Sequence, residues 1–542
     1  MSAIADSLCP RLAPRTVTSR FNDEVITSSS PVQVGIGALS FDDVVAVARH
    51  GAPIELTAQS LAEMARTRAI IEGLASDVSP HYGISTGFGA LASKQIPVER
   101  RAQLQRSLVR SHAAGSGPEV EREVVRGLML LRLSTLATGR TGVRPVVAET
   151  YAAVLNAGIT PVVYEYGSLG CSGDLAPLAH CALALLGEGE VHTSAGDLVP
   201  AAEALAASGI EPLVLREKEG LALINGTDGM LGMLVLAIHD LRALVTTADL
   251  AAAMSVEGLR GTDAVFADDL QQLRPHPGQG QSAANLRAVL AGSPMLSRPE
   301  GFTRVQDAYS LRCAPQVHGA VRDTIDHAAL VAGRELASAV DNPVVTPDGR
   351  VESNGNFHGA PVGYVLDFLA IVTADLASMS ERRTDRFLDV SRNHGLNAFL
   401  ADDPGVDSGH MIAQYTQAGI VSELKRLAAP ASVDSIPSSA MQEDHVSMGW
   451  SAARKLRRAI DGASRVIAIE LLTAARAMDL RAPLEPSAVS RAVVAKLRET
   501  TPGPATDRYL APEIAAAVAA VFNGSLLDAA ASAVHEAGGV LV

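Results

Sequence analysis

Aromatic side chains are scarce in this chain. Phe, Tyr and Trp together make up 4% of its 542 residues, with a single tryptophan. That scarcity argues against a β-sandwich, whose strands rely on aromatic and β-branched residues. With 47% hydrophobic residues, the core must be aliphatic and alanine-rich, which favours close-packed helices. Basic charge is also short: 45 Lys and Arg face 59 Asp and Glu, a net charge of −14. Phosphate binding needs clustered Lys and Arg, so neither a nucleic acid nor an anionic membrane is an expected partner. The four cysteines, Cys9, Cys171, Cys181 and Cys313, lack C-x-x-C spacing and are too few for a disulfide framework. They read as thiols of a reducing compartment. The N-terminal stretch has no apolar signal-peptide core. The strongest apolar run, Met230 to Ile238, is far shorter than the roughly 20 residues of a membrane span. It reads as a buried core helix, and a cytoplasmic location is expected. No H-E-x-x-H pattern occurs, and no metal site is expected.

Residues 1–32, rich in Ser, Thr, Arg and Pro, read as a flexible arm, with order beginning at Val34. Ser40 to Asp43 has the form of a capping box, opening a helix that ends at His50-Gly51. A second helix from about Ala58 carries Leu61, Met64, Ile71 and Leu74 on one face. Three glycines between His81 and Gly89 make 80–100 a loop. Helical patterns return over 101–114 and 119–138. Pro161 to Gly173 is loop-like, and Asp174 begins the next helix. From Gly229 the chain turns long and helical, over 229–258, 361–384, 409–428 and 449–480, with connectors at 274–300 and 500–512. The expected fold is mainly α: a loop-rich N-terminal part over 33–228, then a long central bundle with C-terminal helices over 229–542. Broad apolar faces on these helices suggest burial on several sides and so an oligomer, although a monomer with a thick bundle fits the pattern too.

The most informative stretch runs from Gly167 through Cys171-Ser172-Gly173-Asp174 to His180. It is a Gly-rich turn leading into a helix, and Asp174 suits the helix N-terminus. Without G-K-[ST] or G-x-G-x-x-G it does not read as a nucleotide loop. In this context the stretch resembles the aromatic amino acid ammonia-lyase and aminomutase family, in which an Ala-Ser-Gly triplet cyclises to the electrophilic ring 4-methylidene-imidazol-5-one. The resemblance covers nearly the whole chain from about Val34. It implies that the Gly173 nitrogen attacks the Cys171 carbonyl, an approach that glycine permits for lack of a Cβ. Ser172 then loses water to leave a methylidene carbon. Cys171 stands where alanine is usual; its side chain stays outside the ring, so it should be tolerated with altered thiol or oxidant sensitivity.

Other segments carry the same resemblance. Tyr82 to Gly89 is similar to the family's mobile tyrosine loop, which implies Tyr82 as catalytic acid or base. A phenol of pKa about 10 needs perturbing for that role, and taken alone Tyr82 reads as a hydrogen-bonded loop tyrosine. Asn225-Gly226-Thr227 resembles the family's Asn-Gly-Thr turn and implies Asn225 as a residue holding ring or substrate. Asp228 follows where histidine-specific members often carry Gln, and no role is assigned to it. The run from Gln306 to Gly319 implies Gln306 and Arg312 in substrate binding, with Tyr309 assisting the ring and the amine. Tyr309 and Arg312, three apart, suit one helical face, and a guanidinium suits a carboxylate clamp. Asn354 to Gly359 places Phe357 close to the ring.

Substrate choice rests on two places. Ser111-His112 resembles the histidine-specific members, whereas phenylalanine lyases tend to carry Phe-Leu and tyrosine lyases His-Leu. Glu443 stands where relatives acting on phenylalanine and tyrosine typically have glutamine. A carboxylate can accept an imidazole N–H but would be buried unpaired against a phenyl group. Met411 is implied as a pocket residue. The resemblance therefore implies elimination of ammonia from L-histidine to give trans-urocanate, the first step of histidine degradation. Tyr82 would remove the β-proton, with Glu443 as competitor, in a homotetramer whose sites draw on several subunits, with no diffusible cofactor. The alternatives are a tyrosine or phenylalanine lyase, a 2,3-aminomutase, a silent helical scaffold, and a fumarase-type lyase without the ring.

Overall fold

The computed structural model describes residues 30–77, 79–91, 93–297 and 305–542. The expected arm over 1–32 lies, up to residue 29, outside them. Nineteen α-helices and four small sheets of two or three strands make up the described residues, so the mainly-α expectation holds. Order begins slightly before Val34: Val32–Val34 pairs in parallel with Ile54–Leu56. Between them the predicted capping box forms. The Asp43 amide donates to Ser40 Oγ at 3.1 Å, and the Ser40 amide donates back to Asp43 Oδ2 at 2.9 Å. The stretch read as a loop before Gly173 contains short strands, Thr160–Pro161 and Tyr164–Tyr166. Tyr164–Tyr166 pairs with Ser116–Glu119, which displaces the start of the following helix to Arg122.

The bundle forms around Asp228–Gly258, a helix of 31 residues buried along most of its length. Ala314–Leu336, Ala360–Leu388 and Gly449–Leu480 pack along it. Small residues set the spacing. Gly127 of the Arg122–Ala137 helix faces Gly232, so those two backbones touch. At the other end a Cβ on Gly258 would stand 2.8 Å from the Phe387 ring. Inside, Arg383 and Glu470 form a fully buried bidentate pair at 2.5 and 2.8 Å, which Ser255 and Ser380 complete by donating to Glu470 at 2.6 Å each. Removing one partner of such a pair would leave a buried charge, at a cost of about 3–5 kcal/mol.

Two expectations change. The connector over 274–300 holds a 14-residue helix, Pro277–Leu290. Pro277 occupies the first helical turn, where its missing N–H costs nothing, and Gly278 meets the Gly319 carbonyl so closely that no side chain fits between them. The Met230 to Ile238 run belongs to a helix that, with Ala360–Leu388, is long and apolar enough by length and composition to cross a membrane. The most apolar windows of the two are 78% and 61% buried inside the protein.

Candidate active site

Gly173 is the residue on which the site turns. Its φ of +78° lies in the left-handed region, and it bridges Gly226 in parallel. A Cβ at this position would overlap the Gly226 carbonyl oxygen. That oxygen accepts the Asp174 N–H at 2.7 Å. Asp174 stands at the start of the Leu175–Leu185 helix, but its side chain makes no capping bond there. Its carboxylate accepts instead from Ser168 Oγ at 2.9 Å and from the Met230 amide at 2.8 Å. It thus serves an orphan donor in the first turn of the Asp228–Gly258 helix. Burial pushes its pKa up to about 7.

The preceding residues are held from the opposite side. The Met448 amide donates to Leu169 O at 3.0 Å, and Ser447 Oγ donates to Gly170 O at 3.2 Å. Trp450 Nε1 donates to Glu165 O at 2.8 Å. The Cys171-Ser172-Gly173 turn is therefore gripped between the Asn225-Gly226 turn and the start of the Gly449–Leu480 helix. Such a clamp suits a backbone that must fold back on itself. Cys171 and Ser172 are half-buried and Gly173 is buried. The residues fit the ring that the triplet would form.

Asn225 is buried beside this clamp. Its Nδ2 donates to Asn342 O at 3.0 Å, and its own carbonyl accepts from Arg132 Nη1 at 2.7 Å. Its Oδ1 is buried without a hydrogen-bond partner. An unmet buried acceptor costs about 1–3 kcal/mol, and a donor on ring or substrate would satisfy it. Arg132 is wholly buried and also donates to Val340 O at 2.8 Å. Asp228, to which the sequence assigned no role, lies 3.5 Å from Arg132, with its carboxyl raised first by burial. It belongs to the support of the turn. Lys218 and Asp341 form a buried ion pair in the same layer.

Glu443 reaches the triplet from the other side. It accepts from Ser438 Oγ at 2.8 Å, and its charge acts on the Cys171 thiol, whose pKa is pushed up to about 12 by burial and then by this carboxylate. His112 ends the Arg101–His112 helix. Its Nδ1 lies 2.9 Å from Leu108 O, an acceptor only, so Nδ1 carries the proton and Nε2 is left as an acceptor. Burial lowers its pKa, and the charge of Glu443 acts on it as well. Tyr82 is half-buried, and its hydroxyl accepts the Gly89 amide at 3.2 Å. Gly89 borders Ser439, so the tyrosine loop lies against the segment that carries Glu443. Asn354, in the loop that holds Phe357, donates from Nδ2 to Asp341 O at 3.0 Å. Gly359 closes that loop against Ser447 and Met230.

The remaining sequence-predicted residues lie elsewhere. Asp307 accepts the Thr262 amide at 2.8 Å, and Ser310 O accepts from Arg383 at 3.3 Å. Gln306, Tyr309 and Arg312 therefore sit at the C-terminal end of the Asp228–Gly258 helix. From Asp228 to Ser255 that helix rises roughly 40 Å. Tyr309 and Arg312 do share a helical turn, with the guanidinium 4.6 Å from the ring centroid. Tyr309 is 70% exposed, and Arg312 Nε is buried without a partner. Met411 is at the same far end. It lines a cavity of about 360 Å³ with Leu388, Asp389, Phe399, Gln414 and Tyr415. One chain thus gathers Tyr82, His112, Cys171-Ser172-Gly173, Asn225, Phe357 and Glu443 at one end, and Gln306, Tyr309, Arg312 and Met411 at the other. Sequence reasoning missed Arg132 and Ser447. The signal for Arg132 was a lone arginine inside the apolar run Leu128 to Leu136.

The family described as aromatic amino acid lyase matches residues 39–499. The histidine ammonia-lyase of Streptomyces griseus is 67% identical over 502 residues, which is 92% of this chain and 98% of that protein. The histidine ammonia-lyase of Gloeobacter violaceus is 49% identical over 92% of this chain and 96% of its own length. Among solved structures, the tyrosine aminomutase from Streptomyces globisporus aligns with a TM-score of 0.88 at 38% identity, covering 93% of this chain and 99% of that one. The histidine ammonia-lyase from Trypanosoma cruzi aligns with a TM-score of 0.86 at 38% identity, covering 93% and 96%.

Proposed function

The chain belongs to the aromatic amino acid lyase family, and we propose that it is a histidine ammonia-lyase, converting L-histidine to trans-urocanate and ammonia. The observation that carries the substrate assignment is that one carboxylate, Glu443, lies close enough to act on both the Cys171 thiol and the His112 imidazole. A carboxylate and a neutral imidazole are partners for a substrate with an N–H donor and a ring-nitrogen acceptor. Opposite a phenyl ring His112 Nε2 would have no donor, and the Glu443 carboxylate would keep its Ser438 bond but lose a partner for its other oxygen.

The 4-methylidene-imidazol-5-one ring formed from Cys171, Ser172 and Gly173 supplies an electrophilic carbon that turns the substrate amine into a leaving group. The chain's own residues do the rest. Glu443 and His112 hold the imidazole. Asn225 offers its free Oδ1 to the ring or the amine. Tyr82 takes the β-proton, a role for which Glu443 is the competitor. Phe357 walls the cavity.

Arg312 clamps the substrate carboxylate, with Tyr309, Gln306 and Met411 around it. In one chain these four are too far from Ser172 to act with it, so the complete site needs a second copy. Tyr364, Phe368 and Ile371, each over 40% exposed, form an apolar stripe at helical spacing along Ala360–Leu388. Such a stripe on a long bundle suits a symmetric assembly, and the proposed assembly is a cytoplasmic homotetramer.

The test is product analysis with L-histidine, L-tyrosine and L-phenylalanine. Urocanate from histidine alone is expected. Cinnamate or coumarate would move the assignment to a phenylalanine or tyrosine lyase, and a β-amino acid would make the protein an aminomutase.

A further inference from the structure

Glu443 is carried by a turn that its own backbone does not favour. Ser439, Ala440 and Met441 all take left-handed φ, at +50°, +53° and +69°. None is glycine, so each holds a conformation that is costly for an L-residue. Such a run persists only where its surroundings impose it. Here two rungs of hydrogen bonds do so. At the inner rung Ser438 and Glu443 face each other: the Ser438 amide donates to Glu443 O at 2.9 Å, and the Glu443 amide donates to Ser438 O at 3.3 Å. At the outer rung the Val446 amide donates to Ser435 Oγ at 3.0 Å. Ser447 and Met448 follow at once, and these grip Gly170 and Leu169. The backbone of Glu443 thus stands in fixed register with the Cys171-Ser172-Gly173 turn.

A fixed backbone does not fix a glutamate. The side chain keeps several rotatable bonds, and its last torsion is broad. A carboxylate that must meet a substrate N–H with one oxygen loses affinity to every other orientation. One contact removes that freedom. Ser438 Oγ donates to Glu443 Oε2 at 2.8 Å, a charge-assisted bond that is stronger than one between neutral groups. With Oε2 engaged, Oε1 is the oxygen left to the substrate. Ser439 in the same turn borders Gly89, whose amide donates to the Tyr82 hydroxyl, so the tyrosine loop and the carboxylate are kept side by side.

We propose that Ser438 is a positioning residue for histidine specificity: its hydroxyl orients the Glu443 carboxylate so that one oxygen faces the substrate imidazole. The inference rests on Glu443 as the partner of that imidazole. Ser438 acts through Glu443, on binding of the imidazole and not on formation of the electrophile.

The test compares Ser438→Ala and Ser438→Thr in the full-length enzyme. In Ser438→Ala, KM for L-histidine and the inhibition constant of urocanate should both rise roughly tenfold, the lower end for a lost hydrogen bond to a charged group. Its kcat should stay within about twofold of wild type, and its peptide across Ser172 should show the wild-type loss of water. Ser438→Thr keeps the hydroxyl and should restore both constants. A fall in kcat alone, a lost dehydration, or a Ser438→Thr variant as weak as Ser438→Ala would overturn the proposal. In a Glu443→Ala background Ser438→Ala should weaken urocanate binding no further; the same loss there as in wild type would show that Ser438 acts on something else, and would sink the proposal while leaving the role of Glu443 intact. Glu443→Ala that binds urocanate as tightly as wild type would instead remove the role of Glu443 itself, and the proposal with it.

Discussion

Mixing two inactive variants tests whether the site is assembled from separate copies. Ser172→Ala removes the ring precursor at one end of the bundle. Arg312→Gln removes the carboxylate clamp at the other end, roughly 40 Å away along the Asp228–Gly258 helix. Loss of a desolvated charged pair typically costs about 2–5 kcal/mol, which corresponds to roughly 30- to 5,000-fold in kcat/KM, so each parent should be close to inactive. In a mixed assembly some sites take the ring from an Arg312→Gln chain and the arginine from a Ser172→Ala chain. With equal amounts and random mixing, a fraction of one half times one half, about one quarter of sites, is intact. Co-expression under two different affinity tags, with both tags used in purification, isolates the mixed species. Urocanate formation near a quarter of the wild-type rate is expected. Mixed oligomers no more active than the sum of the parents would refute a shared site.

Other outcomes follow from single contacts. Gly173→Ala should fold with native helical circular dichroism but fail to lose water on intact-mass analysis, because the new Cβ overlaps Gly226 O; left-handed strain of about 1–2 kcal/mol adds to the clash. Asp174 carries a folded-state pKa of about 7 against 3.8 for the free group. Its folded state holds the proton more tightly, so its contribution to stability is full below pH 3.8 and is lost as pH rises through 7. Denaturant titrations should show a slope of up to about 1.4 kcal/mol per pH unit in that window from this group, flattened in Asp174→Asn. The Cys171 thiol, held near 12, should resist iodoacetamide at neutral pH, and Cys171→Ala should still lose water. His112→Phe should raise KM for L-histidine by roughly 5- to 150-fold, the cost of an unmet buried hydrogen bond of about 1–3 kcal/mol.

Much of the fold was legible because its signals are local. The capping box at Ser40 and Asp43 needs only four residues, and the long bundle helices announce themselves by apolar periodicity. The turn at Cys171-Ser172-Gly173 was legible for the same reason, since glycine spacing encodes backbone conformation directly. Pro277–Leu290 was hidden because Gly278 and Gly280 lower its intrinsic propensity. Tertiary packing overrides that penalty, and Gly278 is the point of closest approach to Gly319. The support of the site was hidden as well. Arg132 binds the carbonyls of Asn225 and Val340, and a backbone carbonyl leaves no mark in a sequence. Nor does sequence separation reveal that Glu443 stands close to both His112 and Cys171 while Arg312 lies at the far end of a 31-residue helix.

The central claim is that the chain makes its own electrophile at Ser172 and uses it on L-histidine. The most direct measurement compares wild type with Ser172→Ala by peptide mass mapping across residues 167–180 and by urocanate absorbance in the same preparations. The account predicts a wild-type peptide lighter by two waters, one from the Cys171 carbonyl oxygen on ring closure and one from Ser172, together with urocanate formation, and full mass with no urocanate in the variant. Urocanate at the wild-type rate from Ser172→Ala, or an active wild type whose peptide keeps its full mass, would contradict it.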